Sequence, residues 1–241
     1  MKALKLFSLF IAAAFSFTTV KAQTTDEIVS KHIEAIGGAD NWKKVNSMVQ
    51  TGSMVVNGAE VAVVATILQN KGMRQDIALM GMNGYQIVTA TEGWNFMPFQ
   101  GQTAPEAMTA DDVKESQTDL DAQGNLVDYK AKGHSVESLG KEDVDGTECF
   151  KLKIALKSGR SETLFIDAKT YNLVKTITVR KANGQEVEFA TSFSNFQKLP
   201  EGIIVPMSIS VPLGPGFNAD LTILKVEVNK TIVETIFKPS K

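Results

Sequence analysis

Apolar and polar positions alternate with a period of two through much of this chain, the pattern of strands with one buried face. Phe150, Leu152, Ile154 and Leu156 fall on one side, with Lys151, Lys153 and Lys157 on the other. Ile203, Val205, Met207, Ile209 and Val211 repeat the pattern against Ser208 and Ser210. Two stretches break it. Residues 61–68, and the run holding Trp94, Phe96, Met97 and Phe99, are apolar on both sides. A strand of that kind must be covered twice, by core on one face and by helices or a ligand on the other.

Tight-turn signals punctuate these runs: Asn57-Gly58, Lys71-Gly72, Asn83-Gly84, Asp145-Gly146, Ser158-Gly159 and Asn183-Gly184. Asn-Gly and Asp-Gly adopt the positive φ angles of two-residue hairpins, so neighbouring strands are expected to pair antiparallel as a meander. Ahead of them, residues 26–36 have helical spacing, with Ile28, Val29, Ile33 and Ile36 on one face. Thr25 or Asp26 is the expected cap, and Gly37-Gly38 the stop. Residues 40–45 add a turn with Trp42 pointing inward, and His32 is expected at the helix surface. Between Gly101 and Gly133 the strand texture lapses into an acidic stretch. There Thr109 is placed to cap a helix running to about residue 120, lying across the sheet, with Asp111 and Asp112 near its positive end.

The first residues change the setting. Lys2 and Lys5 precede an apolar run over residues 6–17 broken only by Ser8 and Ser16, and Val20-Lys21-Ala22 supplies small residues at a cleavage junction. Residues 1–22 therefore read as a signal peptide cut before Gln23. The run falls short of the roughly 20 residues a membrane-spanning helix needs. No cysteine stands at the junction to be acylated, so the expected product is free in an aqueous compartment outside the cytoplasm. Residues 23–241 show no repeat, linker or low-complexity tract and read as a single domain.

Losing the leader's three lysines takes the formal net charge from −2 to −5. That mildly acidic balance, with no basic stripe, argues against nucleic acid. Cys149 is the single cysteine, so no internal disulfide forms; it reads as a packed thiol rather than a nucleophile.

Catalytic and metal-binding signatures are missing. His32 and His134 are the only histidines and lack metal-ligand spacing. There is no H-E-x-x-H, C-x-x-C, G-x-S-x-G or phosphate loop. Asp111 and Asp112 read as helix-end charges, and Asp76, Asp143 and Asp145 as turn residues. What is over-represented is methionine: Met48, Met54, Met73, Met80, Met82 and Met97 crowd the first strands, and Met108 follows. Each is ordinary core taken singly; as a group beside doubly apolar strands they suit a surface that accepts flexible apolar ligands. Gly81-Met82-Asn83-Gly84 reads as a turn at a pocket rim.

Several phrases resemble the periplasmic outer-membrane lipoprotein carrier family, the LolA-like proteins with their LolB-like relatives. The first helix leads through Trp42-Lys43-Lys44-Val45-Asn46-Ser47 into a long strand. Thr91-Glu92-Gly93-Trp94-Asn95-Phe96-Met97-Pro98-Phe99 is similar to the family's aromatic strand ending in Pro-Phe, with a helical insertion after it. Phe165-Ile166-Asp167-Ala168-Lys169-Thr170, Phe193-Ser194-Asn195-Phe196 and Glu234-Thr235-Ile236-Phe237-Lys238-Pro239 are similar to its late elements. One departure stands out. The carrier proper has an arginine just before its third strand, where this chain reads Gln69-Asn70-Lys71-Gly72, with Arg74 further along.

The resemblance implies a mainly β fold: a single curved antiparallel sheet forming an incomplete barrel, with the N-terminal helix and the inserted helix covering its concave face. It implies a soluble, monomeric periplasmic carrier without enzymatic activity or cofactor. Such a carrier shields the acyl chains of lipoproteins between an inner-membrane exporter and an outer-membrane acceptor. Trp42, Met73, Trp94, Phe96, Met97, Phe99 and Met108 are the residues expected to line the cavity or its lid. The rival readings are a sensor or protein-interaction module on the same scaffold and, more distantly, a hydrolase with converging carboxylates.

Overall fold

The computed structural model describes residues 23–182, 185–214 and 216–240. The expected leader and the Asn183-Gly184 turn lie outside them. The first helix, α1 (Thr25–Ala35), is capped one residue earlier than expected. The Thr24 hydroxyl accepts from the Glu27 amide at 3.2 Å, and the Glu27 carboxylate accepts from the Thr24 amide at 2.8 Å. This reciprocal capping box satisfies two backbone donors that the helix start leaves open. Gly37 then takes φ +110°, and a Cβ there would stand 2.3 Å from the Gly202 carbonyl oxygen. Only glycine lets the helix end approach that turn so closely. A single further turn, α2 (Ala39–Trp42), delivers Trp42 to the interior.

The described residues form one 13-stranded antiparallel sheet that does not close into a barrel. Its first six strands are β1 (Ser47–Val56), β2 (Ala59–Leu68), β3 (Gly72–Leu79), β4 (Met82–Thr89), β5 (Gly93–Phe96) and the short β6 (Glu106–Ala107). After α3 (Ala110–Glu115) come β7 (Ser135–Val144), β8 (Thr147–Ala155), β9 (Ser161–Asp167) and β10 (Leu173–Ala182). The last three are β11 (Gln185–Lys198), β12 (Ile204–Gly214) and β13 (Phe217–Val228). Spatial order runs from β6 back to β1, then to β13, and from β13 back to β7. The first and last strands therefore meet mid-sheet, with Met48 opposite Val228, while β6 and β7, adjacent in sequence, form the two edges.

Asn57-Gly58 and Asp145-Gly146 turn with positive φ at both residues, as their chemistry demands. Asn83-Gly84 does not turn: both residues lie inside β4, and the turn sits at Met80-Gly81. Met80 takes φ 52° there and is 80% exposed, so the expected pocket rim is a solvent-facing tip. Glycine in a strand misled the pattern. Gly84 is needed because a Cβ would come within 2.8 Å of the Phe99 ring packed over it.

Strand alternation assigns the two faces. The inner face carries Phe150, Leu152, Ile154, Leu164 and Ile166, packed with Ile28 and Val29 of α1. It continues through Met48, Val205 and Val228, packed with Trp42 and Val45. The inserted helix begins where expected, with the Thr109 hydroxyl accepting from Asp112 N–H at 3.2 Å. It holds α-geometry only to Glu115 and continues as a 3-10 helix, Ser116–Leu120. Leu120 seats it on Met73 and Val88.

Of the two stretches apolar on both sides, the run with Trp94 and Phe96 receives its second cover from the far end of the chain; in residues 61–68 only Leu68 shares that cover, and Ala62 is exposed. Tyr85, Ile87, Trp94 and Phe96 point to the outer face, where Phe237, Ile232 and Ile236 lie on them. The Tyr85 hydroxyl donates to the Ser240 carbonyl at 2.7 Å, and Arg74 Nη1 donates to the Ile236 carbonyl at 2.9 Å. Gly72 makes room for this strap, since a Cβ would meet the Phe237 ring at 2.6 Å. Lys71 pairs with Glu234 beside it.

Candidate functional site

Between the helices and the inner face lies a cavity of about 430 Å³. Its walls are built from α1 (Ile33) and its C-cap Ile36, α2 (Trp42), the first strands (Met48, Ile67) and the later strands (Leu164, Leu173, Phe193, Phe196, Val205). The segment crossing from β6 to β7 supplies the remaining side through Ala122, Leu126 and Val127. The size falls within the roughly 300–1,000 Å³ of small-molecule pockets. Most of the lining is aliphatic or aromatic, which selects apolar matter.

The crossing segment is pinned along its length. Gln117 Nε2 donates to the Thr89 carbonyl at 3.1 Å, and the Leu120 carbonyl accepts from Asn70 N–H at 2.9 Å. Gln69 holds Asp121 and the Ala122 amide, while Gln123 Nε2 donates to the Val45 carbonyl at 3.2 Å. Beyond it, Tyr129 donates to Asp26 at 2.5 Å, and Lys130 pairs with the same carboxylate. These are polar fastenings over a greasy floor, so the cover lies on the cavity without filling it.

His32 belongs to this wall rather than to the surface, being 5% exposed. Its Nδ1 lies 2.8 Å from the Tyr171 carbonyl, so that nitrogen carries the proton. Burial pushes the imidazole below its ordinary range, against a smaller upward pull from the carbonyl. The pattern missed it because His32 shares the apolar stripe of Ile28, Val29 and Ile36 only when its one polar contact is known. Cys149 is buried, and burial pushes its thiol up, so it is a packed side chain with little thiolate.

At one end the cavity turns polar. Arg160, its side chain only 13% exposed, ion-pairs Asp119 at 3.1 Å and Glu162 at 2.8 Å. Burial works against the guanidinium charge, but the two carboxylates more than offset it, and Arg160 stays charged. This group was not legible beforehand: Asp119 and Glu162 are 43 positions apart in a chain full of carboxylates.

The seven expected lining residues divide into four places. Trp42 lies in the cavity wall, its Nε1 donating to the Ile36 carbonyl at 2.9 Å. Met73 and Met108 meet beneath the inserted helix on the inner face. Met97 and Phe99 fold over Gly84. Trp94 and Phe96 sit under the C-terminal strap on the outer face, away from the cavity. Lys71 and Arg74 both contact that strap. Among the described residues no cluster of three or more His, Cys, Asp or Glu side chains is placed to hold a metal ion.

An incomplete antiparallel barrel with a helical cover over an apolar hollow has counterparts of similar fold among solved structures. A LolA superfamily protein from Nitrosomonas europaea superposes with a TM-score of 0.56 at 15% identity, covering 90% of this chain and 98% of that one. A domain from Vibrio parahaemolyticus, assigned to outer membrane lipoprotein sorting, gives 0.53 at 12% identity over 88% and 94%. A DUF1329 family protein from Desulfovibrio piger gives 0.54 at 12% identity over 90% and 98%. At these identities the likeness speaks to the fold alone. No family model matches the chain, and comparison with curated proteins finds no relative.

Proposed function

We propose that this protein is a soluble, monomeric, non-catalytic carrier that shields the acyl chains of lipoproteins on their way to the outer membrane. Export through a leader cut before Gln23 would place it in the periplasm, between an inner-membrane donor and an outer-membrane acceptor. The observation that carries the reading is the apolar cavity held open between the sheet and a cover attached by hydrogen bonds. Removing an acyl chain from water gains about 0.8 kcal/mol per methylene, which is what a carrier must supply to move lipid through an aqueous gap. Trp42 would meet the chain directly. Met73 and Met108 would seat the lid, Met97 and Phe99 would shape the inner face beyond it, and Trp94 and Phe96 would brace the sheet from outside.

Two measurements test this. Organic extraction of the purified protein, followed by mass spectrometry, is expected to release lipid. Isothermal titration with an acylated peptide is expected to show binding that its unacylated twin lacks. Equal affinity for the two peptides rejects the carrier reading.

A further inference from the structure

The polar end of the cavity has a definite chemical bias. Among the described residues lining the cavity Arg160 carries the only positive charge, with the Lys132–Asp121 pair beside it, and that charge is already committed. Nη2 is shared between Asp119 and Glu162, and Nη1 donates to the Glu115 carbonyl at 3.1 Å. Nε is buried without a partner and has no surface to offer a ligand. The carboxylates are less fully used. Asp119 binds through Oδ1 and Glu162 through Oε1, leaving Oδ2 and Oε2 without a hydrogen bond among the described residues. Glu162 is nine-tenths buried, and both side chains line the cavity. Asp121 is spent on Gln69, Gln123 and Lys132. Two carboxylates against one guanidinium leave the pole one negative charge, with two idle acceptors.

We propose that this pole reads the head of the amphiphile whose chain fills the cavity, accepting a non-anionic head that donates hydrogen bonds and turning away a free carboxylate. The inference rests on the acyl-binding reading above. An ammonium, amide N–H or hydroxyl would complete the idle oxygens with charge-assisted hydrogen bonds. A third carboxylate beside the nine-tenths-buried Glu162 would face like-charge repulsion, with no uncommitted cation among the described lining residues to answer it. The favoured ligands are therefore acyl or alkyl chains ending in an amine, amide or glycerol head, and free fatty acid is the disfavoured one.

The test uses three probes of equal chain length: an alkyl amine, a monoacylglycerol and a fatty acid, titrated near pH 8, where carboxylates are ionised and amines protonated. The amine and the monoacylglycerol are each expected to bind at least ~10-fold more tightly than the fatty acid, a difference of about 1.4 kcal/mol. Glu162→Gln and, independently, Asp119→Asn should each narrow that ratio, mostly by strengthening fatty-acid binding. Fatty acid binding as tightly as the other two, or a ratio that neither variant moves, overturns the head selection and leaves the carrier reading standing. Binding of none of the three overturns both.

Discussion

The two arms of the sheet solve the same burial problem differently. In the second arm, β7 to β10, one face is apolar and packs inward, and the outer face is lined with lysine. Even Phe165, which points outward and is only 2% exposed, is covered by side-chain stems: Lys151 and Lys175 place their ammonium groups 5.6 and 5.8 Å from its ring centroid. In the first arm β4 and β5 are apolar on both faces, and their outer side needs a dedicated cover, which residues 229–240 provide. A doubly apolar strand thus announces a second cover without naming its source. Here the source lies about 150 positions downstream, a distance over which local periodicity carries no information.

The difference can be broken most severely at Phe237. Phe237→Ala should cost about 3–5 kcal/mol in urea unfolding, the usual loss for a buried aromatic. Amide exchange should quicken across β3 to β5 while β8 and β9 keep their protection. Equal loss of protection in both arms would show that the strap stabilises the whole sheet and not one arm.

A smaller effect should come from acid, and it should fall on the second arm. His32 ties α1 to the turn between β9 and β10 through the Tyr171 carbonyl. Its folded pKa lies below the unfolded value, so in the interval between them the unfolded chain holds the extra proton. Stability from the neutral imidazole is complete above about pH 6.5 and is lost as pH falls below it. Urea midpoints measured from about pH 7 down to pH 5 should therefore drop faster for the wild type than for His32→Asn. Parallel curves would remove His32 from the acid response.

The mildest change is expected at Lys151. Lys151→Ala uncovers one side of Phe165 and ends an exposed ion pair with Glu142. Thermal unfolding should register a loss of about 1 kcal/mol or less. A cost approaching that of Phe237→Ala would mean that the lysine cover is as specific as the strap.

The alternating strands were legible in the sequence because their partners are next to them. Phe150 to Leu156 and, in the later strand, Ile203, Val205 and Met207 face the core as their spacing predicts, and Thr109 starts the inserted helix as its chemistry predicts. Legibility stopped wherever an element is placed by something far away. Trp94 and Phe96 are aromatic enough for a cavity, yet pairing opposite Ile87 and Tyr85 turns them to the outer face. Gly84 looks like a turn residue and is instead a space left for Phe99. His32 looks polar and surface-bound until the Tyr171 carbonyl is brought to it. Arg160, Asp119 and Glu162 are unremarkable apart and become a site only when the crossing segment meets β9.

The strand order has a mechanical corollary. Because the outermost strands β6 and β7 are neighbours in sequence, residues 108–134 stretch across the mouth of the open barrel like a string on a bow. The gap between the rims cannot exceed what this string can span, and part of its length is taken up in the turns of α3 and the 3-10 helix behind it. The separation of the rims is thus bounded by the reach of this one segment, a limit set by connectivity and not by any hydrogen bond of the sheet.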